Sequence, residues 1–251
     1  MTSSSRFPDY PFQPQRFEVR PGIGMSYLDE GPRDGEVVVM LHGNPSWSFY
    51  WRKLVAGLSD RYRCIVPDHV GMGLSDKPDD AGYEYTLQSR VDDVETLLRH
   101  LGISGPMTLA VHDWGGGIGF GWGLTHSDQI KRLVITNTGA FPLPAAKPLP
   151  KRLRLGRDSS IGTGLIRGFN AFAGGASRLG VVKPMPAEVR AFIGWGLADF
   201  VFDHHFLKGF TDALPQAQVH AFKDAGHYVL EDKAELLVPE IRAFLDRHPL
   251  S

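Results

Sequence analysis

Short apolar runs separated by stretches of helical period organise this chain. Residues 37–41 (VVVML) form an unbroken apolar run that ends in HGNP, and residues 63–66 (RCIV) are stopped by Pro67. Residues 107–112 (MTLAVH), 133–136 (LVIT), 192–195 (FIGW) and 218–222 (QVHAF) read the same way. Runs of this length and composition fit strands buried on both faces. Ahead of them, residues 17–20 and 25–28 flank PGIG and predict a hairpin. Between the strands the period changes. Residues 86–101 (TLQSRVDDVETLLRHL) space their apolar positions for a helix, with Thr86 at its start and Gly102 as its stop. Residues 50–58 and 235–247 predict two more helices.

Strands alternating with helices mean a mostly parallel sheet with helices on both faces, an α/β fold. Ligands of such sheets bind beyond the carboxyl ends of the strands. The segments to watch therefore follow the apolar runs: HGNP, PDHVGMG, HDWGG, NTGAF, GLADF and DAGHY. The block 141–191 breaks the rhythm with six prolines, a basic-apolar run (KPLPKRLRLGR) and the aromatic-small stretch RGFNAFAGGA. It predicts an inserted helical lid on a core made of residues 1–140 and 192–251. The run KRLRLGR reads as a solvated helix face, or as a peripheral contact with a membrane surface or a partner enzyme.

Composition narrows the class. With 251 residues, 42% hydrophobic and 22% charged, the chain suits one large α/β domain or two small ones. A net charge of −1 gives no field to attract nucleic acid. The single cysteine, Cys64, excludes an intramolecular disulfide, fits a reducing compartment and sits in an apolar run as an inert thiol. MTSSSRFPDY lacks the layout of a signal peptide, and no uncharged run is long enough to span a bilayer. A cytoplasmic protein is expected, with membrane association as the variant that KRLRLGR allows. No feature of the sequence fixes an oligomeric state.

The chemistry concentrates at VHDWGG. The pattern fits the strand–nucleophile–helix elbow, whose sharp turn lifts a nucleophile and the following N–H into a site. Gly115 and Gly116 let the helix start against the strand. The usual signature has Ser at the apex and a small residue two positions earlier; here Asp113 and Val111 stand there. A carboxylate is already ionised at pH 7 and needs no base to become a nucleophile. It attacks saturated carbon to give an alkyl ester, which water activated by a histidine can then hydrolyse. The partners follow in the order of this fold: Asp199 in GLADF to hold a histidine tautomer, then His227 in DAGHY as the base. Asp203 lies too far into the following helix to be that acid.

An anion hole would combine the backbone N–H groups of Asn44 and Trp114, whose side chains add an amide and an indole donor. Core packing is the plain alternative for Trp114. Neither G-x-x-x-x-G-K nor G-x-G-x-x-G occurs, so nucleotide binding is not expected. His204 and His205 have no companions at zinc spacing, and His69 and His112 read as structural. No cofactor and no metal are expected.

On HGNPSWSFYWR, PDHVGMGLSDKP, VHDWGG and AGHYVLED, the chain from Met25 to the C-terminus resembles the haloalkane dehalogenase branch of the α/β-hydrolases. The resemblance implies Asp113 as nucleophile, His227 as base, Asp199 as acid, and Asn44 with Trp114 as the pair that holds a leaving anion. On YTLQSRVDDVETLL, TNTGAFPLP and RGFNAFAGGASRLGVVKPMP it is similar to the β-lactone decarboxylases of bacterial long-chain olefin biosynthesis. That similarity implies a small apolar β-lactone as substrate, opened by the same carboxylate with loss of carbon dioxide and release of a cis-alkene. Haloalkane dehalogenation through an alkyl ester is the alternative. An epoxide hydrolase would use lid tyrosines, and residues 141–191 contain none. A catalytically silent binding module would lack a triad member, and all three are present.

The resembling enzymes have longer lids. A lid covers the carboxyl edge of the sheet, whereas the next parallel strand starts at the opposite edge, and that crossing takes about a dozen residues or more. Here PAEVRA leads straight into FIGWGLAD. The lid therefore reads as incomplete at the 191/192 junction, with a segment absent there; a shrunken lid with an open pocket is the alternative.

Overall fold

The computed structural model describes residues 7–140 and 189–250. They form one eight-stranded sheet. Its strands are β1 (Gln15–Arg20), β2 (Ile23–Glu30), β3 (Val37–Leu41), β4 (Arg63–Pro67), β5 (Met107–Asp113), β6 (Ile130–Thr138), β7 (Arg190–Gly196) and β8 (Gln218–Phe222). The spatial order is β1-β2-β4-β3-β5-β6-β7-β8. β1 pairs antiparallel with β2, and β2 with β4; every later pairing is parallel. The expected mostly parallel sheet is thus present, with the hairpin as its antiparallel border.

The helices are α1 (Arg52–Leu58), α2 (Leu87–His100), α3 (Trp114–Gly123), α4 (His204–Ala213), α5 (Val229–Asp232) and α6 (Ala234–Arg247), and a 3-10 turn, Ser48–Trp51, leads into α1. The Thr86 hydroxyl accepts from the Ser89 N–H and so caps α2 as its sequence predicts. Helices cover both faces. Val94, Leu97, Ile118, Trp122, Phe206 and Phe210 pack on one side of the sheet, and Leu54, Val55, Leu237, Ile241 and Phe244 on the other. No helix among the described residues is long and apolar enough to cross a membrane.

Two strands run further than their apolar runs. β6 starts at Ile130, and the buried Arg132 guanidinium within it has partners at Nε and Nη1 and an ion pair at Nη2. It donates to Thr108 Oγ1 (2.8 Å) and to the carbonyls of Leu245 (2.9 Å) and His248 (2.8 Å), and pairs with Glu36 (2.8 Å). Those carbonyls end α6, where a cation is favoured. β7 starts at Arg190, paired with Arg132, and Ala191 pairs with Leu133. The strand thus begins two residues ahead of the apolar run at 192–195. An exposed arginine at the strand's edge hid its first turn from a hydrophobic pattern. Residues 141–188, including KRLRLGR and the tyrosine-free stretch, lie outside the described residues.

Candidate active site

Asp113 ends β5 and precedes α3 with φ +51° and ψ −124°. A side chain at positive φ is disfavoured, and this one is kept by close packing on every side. A Cβ on Gly115 would lie 1.9 Å from the Leu41 carbonyl oxygen, and one on Gly116 would lie 1.9 Å from Thr138 Oγ1. The Thr138 hydroxyl in turn donates to the Asp113 carbonyl. Opposite the elbow, a Cβ on Gly43 would lie 2.0 Å from Asp113 Oδ1. Only glycine at 43 admits the carboxylate. Val111, larger than the usual residue there, is accommodated by Gly119, whose Cβ would stand 3.0 Å from Val111 Cγ1.

The N–H groups read as an anion hole bond the Asp113 carboxylate itself. The Asn44 N–H reaches Asp113 Oδ1 at 2.7 Å, and the Trp114 N–H also bonds the group. His227 Nε2 stands 3.5 Å from Asp113 Oδ2. His227 Nδ1 is 2.7 Å from Asp199 Oδ2. Asp199 Oδ1 accepts from the Val201 N–H at 2.8 Å. The five residues singled out in the sequence thus meet at the carboxyl edges of β3, β5, β7 and β8. The Trp114 backbone bonds the carboxylate, and its partly buried ring packs against the core cluster that includes residues of α2 and α3.

Electrostatics orders the three ionisable groups. Burial pushes the Asp113 carboxyl up, opposed by the His227 charge and the N–H groups of Asn44 and Trp114. Burial would also raise Asp199, but its bond to His227, the His227 charge and the N–H groups of Val201 and Phe202 outweigh that and hold it low. Burial alone would lower His227; the hydrogen bond that its Nδ1–H donates to Asp199 and the charges of Asp113 and Asp199 reverse the sign and raise it. A histidine with a carboxylate at each ring nitrogen favours the cation. The arrangement places a buried carboxyl group beside a histidine that favours its cation.

The other histidines brace loops. His42 Nδ1 bonds the Gly43 carbonyl (2.8 Å), and its Nε2 accepts from the His69 N–H (3.0 Å), which joins the HGNP and PDHVG loops. Burial pushes His42 down to about 3, so it stays neutral. His112 Nε2 bonds the His227 carbonyl (3.0 Å), and its ring stacks on Tyr50. Asp203 caps α4 through the His205 N–H. Its ligand atoms and those of His204 and His205 lie within 4.8 Å, a helix-start cluster away from the triad's hydrogen bonds.

Two contributors were missed in the sequence: His42, within the HGNP motif, and Asn137, in NTGAF. His42 follows β3 and Asn137 follows the apolar run 133–136 near the end of β6, and that position was the signal available.

Residues 36–155 match the family described as alpha/beta hydrolase fold. The chain is 58% identical to the cis-3-alkyl-4-alkyloxetan-2-one decarboxylase of Xanthomonas campestris pv. campestris, covering 97% of this chain and 99% of that protein. It is 45% identical to the protein of the same name from Shewanella oneidensis, covering 94% and 89%. The first alignment spans 298 positions against 251 residues here, so at least 47 positions of the relative have no counterpart. With both proteins covered almost end to end, that deficit is internal. Haloalkane dehalogenases match over shorter spans, 53% and 59% of the chain in two cases. The solved haloalkane dehalogenase DbeA from Bradyrhizobium elkani superposes with TM-score 0.76 at 20% identity, over 94% of this chain and 98% of that one, a likeness of fold. With this identity over nearly its whole length, the chain belongs to the α/β-hydrolase family, in the group of the oxetan-2-one decarboxylases.

Proposed function

We propose that this protein opens an apolar cis-β-lactone and releases carbon dioxide and a cis-alkene, with Asp113 as the nucleophile. The observation that carries the reading is a carboxylate at the elbow, held by the Asn44 N–H at 2.7 Å and faced by His227 at 3.5 Å. An Asp113 oxygen attacks the ring carbon that bears the lactone oxygen. That carbon–oxygen bond breaks with inversion, and its electron pair stays on the oxygen, which becomes part of a free carboxylate. The bond from this carboxylate to the neighbouring carbon then breaks. Its pair forms the alkene, the ester bond to Asp113 leaves as the aspartate, and carbon dioxide departs. Inversion followed by anti elimination preserves the cis arrangement.

This sequence consumes neither water nor a proton, which sets the parts of the other residues. Asp199 holds His227 as a cation, and the cation keeps the buried Asp113 ionised. The Asn44 and Trp114 N–H groups hold Asp113, and the side-chain amide and indole of the same residues supply donors for the anion released on ring opening. A place in olefin biosynthesis follows from the product, and a β-lactone-forming reaction must supply the substrate.

Haloalkane dehalogenation is the second reading, favoured by the complete Asp199–His227 pair, which is what activation of a hydrolytic water requires. Product analysis separates the two. The purified protein given a cis-dialkyl β-lactone should yield alkene and carbon dioxide; halide and alcohol from a haloalkane, with no lactone turnover, would replace this proposal by the second.

A further inference from the structure

Asn137 stands at the carboxyl end of β6 and is fully buried. Its amide makes three close hydrogen bonds, with the Phe202 carbonyl further from Nδ2 at 3.5 Å. Oδ1 accepts from the Gly196 N–H at 2.8 Å, and Nδ2 donates to the Gly196 carbonyl at 2.9 Å and to Asp199 Oδ2 at 3.1 Å. Carbonyl and carboxylate oxygens only accept, so this orientation of the amide is the one that satisfies all three. Gly196 in turn carries the histidine loop. A Cβ on Gly196 would lie 2.0 Å from the Gly226 carbonyl oxygen, and Gly226 precedes His227. One side chain thus fixes the acid directly and the strand end against which the histidine is seated.

We propose that Asn137 is a positioning residue for the Asp199–His227 pair. Its N–H occupies a lone pair of the oxygen that accepts from His227 Nδ1, which aims that oxygen at the ring and keeps Asp199 ionised. An aspartate at 137 would keep the bond from the Gly196 N–H but, while ionised, would oppose two acceptors. Protonated, it can donate as the amide does. The inference rests on Asp199 and His227 acting as a catalytic pair.

The test is Asn137→Asp followed across pH with the β-lactone. While the folded state by circular dichroism is retained, kcat should fall about tenfold at alkaline pH and recover as pH drops through the introduced carboxyl's titration, with KM little changed. Wild-type protein should lack that step. In an Asp199→Asn background, Asn137→Asp should add no further loss. A folded Asn137→Asp with wild-type kcat at every pH overturns the assignment. So does a pH-independent loss of equal size in both backgrounds. If neither Asn137→Asp nor Asn137→Ser folds, Asn137 is a strand tie and the assignment falls. Unchanged turnover in Asp199→Asn alone would instead reject the catalytic pair. The downfield proton resonance of His227 Nδ1–H then still decides for Asn137: it moves in Asn137→Asp if that residue sets the pair, and stays if it does not.

Discussion

Asp113 carries two opposed requirements, burial and charge. Burial raises its carboxyl, and the His227 cation with the two N–H donors only partly compensates. A carboxylate raised in the folded state contributes its stability below the unfolded value and loses it as pH rises through the folded value. At neutral pH Asp113 therefore costs stability. Asp113→Asn is expected to raise Tm while cutting kcat at least about a thousandfold, the scale of losing a nucleophile. In the wild-type protein, kcat/KM should fall on the acid side with an apparent pKa above the usual carboxylate range, read from a pH–rate profile. Asp113, Asp199 and His227 were legible because each lies at, or in the loop after, the carboxyl end of an apolar strand and their order is that of the fold. Asn137 was not: Asp199 and Gly196, the groups it bonds, lie 62 and 59 residues away.

At the scale of elements, α3 explains most of its own glycines. Its first turn is wedged between β3 and β6, so Gly115 and Gly116 have no room for a methyl group. Gly119 faces Val111, Gly121 faces Val91, and Gly123 faces Ile130; a Cβ on each would stand 3.0, 3.0 and 2.8 Å from those side chains. Gly115→Ala would drive a methyl into the Leu41 backbone and is expected to cost about 1–3 kcal/mol in chemical denaturation. It should also lower kcat, because the elbow and β3, which leads into the HGNP loop, would move apart. An unchanged midpoint would refute that packing account. Strands made of uninterrupted apolar residues were legible to within a residue or two. The start of β6 was not, because Lys131 and the partnered Arg132 carry charges that a hydrophobic pattern treats as loop.

At the scale of the molecule, two cores on opposite faces of one sheet hold the carboxyl-edge loops in place, and the site is assembled from four of them. The alternation of strand and helix made this architecture readable before any side chain was placed. We propose that the internal deficit against the Xanthomonas relative is the segment read as absent from the lid at the 191/192 junction. The central claim is that Asp113 is regenerated by elimination and not by water. Its most direct test is turnover of a cis-β-lactone in 18O-labelled water, with products identified by mass spectrometry and the peptide holding Asp113 isolated afterwards. The mechanism predicts cis-alkene and an Asp113 carboxylate without label. A hydroxy acid product with 18O in Asp113 would contradict it, since water would then have cleaved the ester at the aspartate's own carbonyl.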